Sequence, residues 1–232
     1  MSSDPRPRIG VITFPGSCDD RDAMRALALC GAEPIRVAHR DADPPALDGA
    51  LVPGGFSYGD YLRPGAIARL SPAMEAVRRL AAEGGPVLGI CNGFQVLCEA
   101  GLLPGVLRPN HEGRFVARDV EVRVEQASSP WLPGRDRGDL LRIPVKHHDG
   151  AWTAPDEVAE EVESRGQVLL RYVANPNGSR GDVAGVTNAE GNVLGLMPHP
   201  EHAVDGLLGS IDGRTILQGL CELAQRRAHA LV

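Results

Sequence analysis

Val87-Leu88-Gly89-Ile90-Cys91-Asn92-Gly93-Phe94-Gln95 changes period at its centre. Val87 to Ile90 is a short apolar run of the kind a buried strand needs, and Asn92 to about Ala100 reads as a helix. Cys91 stands between them with glycine two positions before and two after. This G-x-C-x-G spacing puts cysteine where serine stands in a strand-to-helix nucleophile elbow. So tight a bend brings the residues on either side of the nucleophile together, and glycine at both places removes the clash. The start of the following helix offers unpaired N–H groups and a positive dipole end, which favour a thiolate. A free cysteine is also a common small packing residue, so the elbow alone leaves both readings open. Cys18, Cys30, Cys98 and Cys221 lack this context and read as packing.

Working outward from the elbow, the chain has βαβ grammar. Arg8 to Phe14 reads as a strand, Asp19 to Leu29 as a helix ended by Gly31, and Glu33 to Val37 as a second strand. Ala50 to Val52 is a third, running into the turn Pro53-Gly54-Gly55. Ser71-Pro72 predicts an N-cap and first position for a helix through Ala82, closed by Gly84-Gly85. Past Pro109 the pattern changes: Val116 to Val124 alternates apolar and charged residues, as a half-exposed antiparallel strand does. Leu140 to Val145, Val168 to Tyr172, Ala184 to Thr187 and Val193 to Met197 are further strands, and Arg214 to Ala228 is a closing amphipathic helix. The expectation is one α/β domain over residues 1–232, its core about 8–228, with a mixed, mostly parallel central sheet flanked by helices.

A cysteine nucleophile needs a base and a group that orients the base. Met197-Pro198-His199-Pro200-Glu201, just past a strand end, offers both. Residues two apart in an extended segment project to the same side, so Glu201 can reach His199 while the prolines stiffen the backbone. The Gly54-Gly55 turn is the natural second half of an oxyanion hole, adding an N–H to that of Asn92. His147-His148-Asp149 resembles a metal cluster in composition, but adjacent residues point apart and no ligand spacing accompanies them, so no metal site is expected.

The 232 residues carry a formal charge of −6, with 43% hydrophobic and 23% charged residues. Such a composition fits a globular domain with a sizeable core and argues against a nucleic-acid binder, which needs a basic face. Five cysteines, an odd number with no C-x-x-C pair, and the lack of an apolar core in Met1 to Pro7 point to the reducing cytoplasm. No run approaches the roughly 18 apolar residues of a membrane span.

Gly89 to Gln95 and His199 to Glu201 resemble the triad-type glutamine amidotransferases, whose elbow reads G-x-C-x-G-x-Q and whose remaining pair reads H-P-E. More narrowly, Gly54 to Arg63, Cys91 to Gln95 and Asn175 to Ser179 resemble the glutaminase subunits of phosphoribosylformylglycinamidine synthase, over about Arg8 to Glu222. The resemblance implies a class I amidotransferase, flavodoxin-like fold. It implies Cys91 as nucleophile, His199 as base and then acid, and Glu201 as its orienter. It also implies Gln95 in the glutamine pocket, bordered by Asn110, Arg114 and Phe115. It implies no cofactor on this chain, with ATP and magnesium on a large synthetase partner and a small third subunit taking part. An acceptor of the anthranilate, GMP or carbamoyl phosphate type is the alternative, and a non-catalytic glutamine-binding regulator a further one. The sequence departs from the family pattern at Lys146 to Ala151, where A-H-G-E-G-R is usual, and at His202, where arginine commonly follows H-P-E.

Overall fold

The computed structural model describes residues 5–230; the first four residues of the N-terminal segment read above lie outside them. In chain order the elements are β1 (Arg8–Thr13), α1 (Asp20–Leu29), β2 (Glu33–Ala38), β3 (Gly49–Val52), α2 (Ala73–Ala82), β4 (Val87–Ile90) and α3 (Asn92–Glu99). There follow β5 (Val106–Arg108), β6 (Val116–Val124), β7 (Leu140–His147), β8 (Ala151–Thr153) and α4 (Asp156–Ser164). The chain ends with β9 (Val168–Tyr172), β10 (Val183–Thr187), β11 (Val193–Leu196) and α5 (Arg214–Ala230).

Nine strands form one sheet in the order β2-β1-β3-β4-β11-β10-β9-β6-β7, and β5 pairs with β8 in a separate ribbon. The first five strands of that order are parallel. The remaining pairings are antiparallel. The sheet is mixed, as expected, with its parallel pairings gathered in one half, whose order, 2-1-3-4-5 in sheet terms, is that of flavodoxin-like folds. The hydropathy explains the division. β1, β3, β4 and β11 are buried almost throughout, because helices cover both of their faces. From Val120 to Val124, β6 alternates buried and exposed residues, with one face in water.

α1 packs against α5, and the β3-α2-β4 crossover lays α2 against β3 and β4. α5 buries Ile216, Leu217, Leu220 and Ala224, the stripe its periodicity predicts. Every α3 residue from Asn92 to Cys98 is buried. Two glycines permit this depth: a side chain at Gly93 would overlap the Val52 carbonyl, and one at Gly195 the Phe94 ring. Ser71 does not cap α2 as expected; the helix starts at Ala73 without a side-chain cap, and the Ser71 hydroxyl lies 3.0 Å from that of Tyr58.

Pro144 in the edge strand β7 lacks an N–H, which an edge position tolerates. Its carbonyl accepts the His199 N–H at 2.8 Å. The antiparallel half of the sheet thus anchors the segment that follows β11, at the carboxyl ends of the parallel strands where Cys91 also sits.

Candidate active site

Cys91 has φ 51° and ψ −106°, a conformation strained for any residue with a side chain. The elbow geometry accounts for it. A Cβ on Gly89 would meet the Gly93 backbone, so the glycine pair is required by the close approach that the spacing predicts. The Cys91 N–H bonds the Leu196 carbonyl at 2.8 Å, tying the nucleophile to β11, and Gln95 N–H to the Cys91 carbonyl is the first bond of α3. The N–H of Asn92 lies ahead of that bond, in the first turn, where no carbonyl of the helix can pair it.

His199 and Glu201 are both buried, and His199 Nδ1 stands 2.6 Å from Glu201 Oε1. His199 Nε2 is buried and, among the described residues, has no hydrogen-bond partner. Burial alone would favour the neutral ring. It is outweighed by the charges of Glu201 and Cys91 and the bond to Glu201, and the imidazole is pushed up to about 10. At neutral pH the ring therefore holds a proton, ready for a leaving amine.

Gly54 lies directly against this ring: a Cβ there would strike both His199 Cε1 and Asp19 Oδ2. Its carbonyl accepts the N–H groups of Cys18 and Asp19 at 3.1 and 3.2 Å, and Phe56 N–H bonds the Gly16 carbonyl at 2.9 Å. Gly55 adopts φ 149°, a conformation glycine reaches most readily. The turn expected to complete an oxyanion hole is thus held by the loop after β1.

The remaining predicted pocket residues divide. Gln95 is buried, accepting from Asn92 Nδ2 at 2.9 Å and donating to the Asp149 carbonyl at 2.6 Å. Asn110 is also buried, and its amide is filled from within the protein. It donates to the Arg114 and His147 carbonyls and faces Gly150 N–H and His147 Nδ1 with its oxygen. It fastens the turn between β7 and β8. Arg114 and Phe115 are brought to the same loop, but both side chains are exposed. Asn177 of the second family-like stretch is fully buried and donates to the Gly150 carbonyl at 2.8 Å, bracing the same turn from the opposite side.

His147 and His148 diverge. His147 is buried and driven down to about 4 by burial and then by the charge of His199, whereas exposed His148 lies 2.8 Å from Asp149 Oδ2. Among the described residues the donors spaced closely enough to surround an ion are those of Asp19, His199, Glu201 and His202. They already engage one another. Asp19 Oδ1 is 2.5 Å from Lys146 Nζ and 3.3 Å from His202 Nε2, so an ammonium supplies positive charge there. Lys146 and His202, two of the positions where the sequence departs from the family pattern, thus meet on one buried carboxylate. The sequence reading passed over Asp19; an acid on the loop after β1, at the switch point of the sheet, was the available signal.

The chain belongs to the glutamine amidotransferases: the model of the CobB/CobQ-like glutamine amidotransferase domain matches residues 6–215. Within that family it is similar to subunits of phosphoribosylformylglycinamidine synthase. It is 54% identical over 213 residues to subunit PurQ of Rubrobacter xylanophilus, covering 92% of this chain and 97% of that protein. It is 53% identical over 214 residues to PurQ of Corynebacterium jeikeium, covering 92% and 96%. Among solved structures, a chain of PurLQS from Thermotoga maritima matches with a TM-score of 0.86 at 42% identity, over 94% of this chain and 98% of that one. A putative GMP synthase subunit from Thermoplasma acidophilum matches with a TM-score of 0.66 at 17% identity, over 97% and 98%, and shares the fold.

Proposed function

We propose that this chain hydrolyses glutamine to glutamate and ammonia through a thioester on Cys91. The ammonia goes to a partner synthetase that converts formylglycinamide ribonucleotide to formylglycinamidine ribonucleotide with ATP, a step of purine biosynthesis. The observation that carries the reading is the buried His199–Glu201 pair at 2.6 Å beside a cysteine held on a strained elbow. The Cys91 thiolate attacks the side-chain amide carbon, and the N–H groups of Asn92 and Gly55 receive the oxyanion. Collapse breaks the C–N bond, and His199 gives its proton to the departing nitrogen. A water then loses a proton to His199 as it adds to the thioester, and glutamate leaves as the Cys91 thiolate re-forms. Glu201 holds the ring tautomer throughout.

The names of the relatives favour this acceptor over the anthranilate, GMP and carbamoyl phosphate types. The presence of Cys91, His199 and Glu201 together disfavours a purely regulatory role. ATP and magnesium are placed by this reading on the large synthetase subunit, with a small third subunit completing the assembly in the cytoplasm. Among the described residues, no helix is long and apolar enough to cross a membrane.

The loop from Phe56 to Arg63 suits docking. Tyr58, Gly59, Asp60 and Leu62 all have positive φ, and the side chains of Tyr61 and Leu62 are 74% and 88% exposed. Strain of this kind persists where a partner or ligand uses it. The expected result is a weak glutaminase when free. Addition of the synthetase, ATP and formylglycinamide ribonucleotide raises kcat/KM for glutamine by about tenfold or more, the ~1.4 kcal/mol that a modest reshaping of the oxyanion turn represents. Steady-state kinetics of the free chain and the loaded complex check this, and equal values would refute activation by docking.

A further inference from the structure

We propose that Asp19 is a positioning residue for the reaction, a second carboxylate that holds the imidazolium of His199 from its Nδ1 edge. The proposal rests on the assignment of His199 as the base. Asp19 directly precedes α1 and is 4% exposed. Its Oδ2 stands 3.6 Å from His199 Nδ1, and its main-chain N–H is bonded to the Gly54 carbonyl. One residue therefore links the oxyanion turn to the histidine that exchanges protons with substrate.

The Nδ1 proton goes to Glu201, whose Oε1 is a full ångström closer. Asp19 accordingly acts by charge and contact. Its position would be costly for an isolated carboxylate, and three cationic or potentially cationic groups answer it: Lys146 from β7, His202 from the segment after β11, and His199 itself. Burial would raise its pKa, yet the hydrogen bond with His202, the charge of His199 and the contacts with Lys146 hold Asp19 far below the usual carboxylate range, so it stays ionised. Gly54 leaves the space in which Asp19 and His199 approach, since any side chain there would strike both.

The charged and titratable groups around His199 are then Glu201, Asp19 and Cys91, whose negative charge favours its proton, His147 and His202, which oppose it when charged, and Lys146, an ammonium on Asp19 that also lies near Glu201 and Cys91. This balance gives opposite signs for two substitutions. In Asp19→Asn the imidazolium loses a nearby anion. In Lys146→Met it loses an opposing cation.

The test is the pH dependence of kcat for glutamine, measured on the full chain assembled with its synthetase. In the parent, kcat falls on the alkaline side as His199 loses its proton near about 10. Asp19→Asn moves this limb down by about one pH unit and lowers kcat while KM changes less than about twofold. Lys146→Met moves it up. An unmoved limb in Asp19→Asn, or displacement of both variants in the same direction as simple loosening would give, overturns the proposal. Should Asp19→Asn fail to fold, Lys146→Met decides by its sign, and an unchanged or lowered limb counts against the proposal. Failure of the underlying assignment is recognised separately, because His199→Ala would then retain glutamine use whatever the Asp19 variant does.

Discussion

Cys91→Ser abolishes glutamine-dependent synthesis by the assembled complex while leaving synthesis from added ammonia near the parent rate. The serine hydroxyl keeps the size and nearly the shape of the thiol, so the elbow, buried to 6% exposure, is undisturbed. What changes is the nucleophile. A hydroxyl is far less acidic than a thiol, and the imidazolium of His199 that stands ready to protonate ammonia is poorly suited to deprotonate it. The expected loss is on the order of 10³-fold or more, the scale on which removing a member of a nucleophile–base unit acts. Comparison of glutamine and ammonium chloride as nitrogen donors checks it. A serine variant that used glutamine at the parent rate would show that Cys91 is not the nucleophile.

His199→Ala removes as much activity as loss of the nucleophile, and Glu201→Gln about two orders of magnitude less. The histidine transfers protons in both halves of the reaction, while Glu201 fixes its tautomer and balances its charge. The structure makes the second loss gentler still. Asp19 keeps a carboxylate 3.6 Å from the same Nδ1 when Glu201 is neutralised. Among the described residues Glu201 Oε2 is buried without a partner, so a glutamine amide placed there gains no bond to pull it away. Single-turnover kinetics of the two variants measure the difference, and small, equal effects would remove the pair from the mechanism.

Much of this was legible in residue types and spacing. The glycines at 89 and 93 predicted the close approach that the structure contains, and His199 and Glu201, two apart between prolines, do face one another. The parallel strands could be read because burial on both faces leaves unbroken apolar runs, as in Val87 to Ile90. What escaped was set by tertiary contact or by brevity. β5 and β8 are three residues each, too short to show a period. α4 carries Val158, Ala159 and Val162 at helical spacing, a signal present but overlooked among its acids. Ser71 had the sequence of a cap, and its meeting with Tyr58 from a loop thirteen residues upstream could not be foreseen. Asp19, Lys146 and His202 converge from segments more than a hundred residues apart in the first case, and sequence carries no trace of such a meeting.

The central claim is that a γ-glutamyl group passes through Cys91. Rapid acid quenching of the loaded complex during turnover of radiolabelled glutamine, followed by peptide mapping of this chain, tests it most directly. The account predicts label on the peptide that contains Cys91, released by hydroxylamine as the γ-glutamyl hydroxamate and missing in Cys91→Ala. Turnover with no bound label, or label on the peptide of Cys18, Cys30, Cys98 or Cys221, would contradict it.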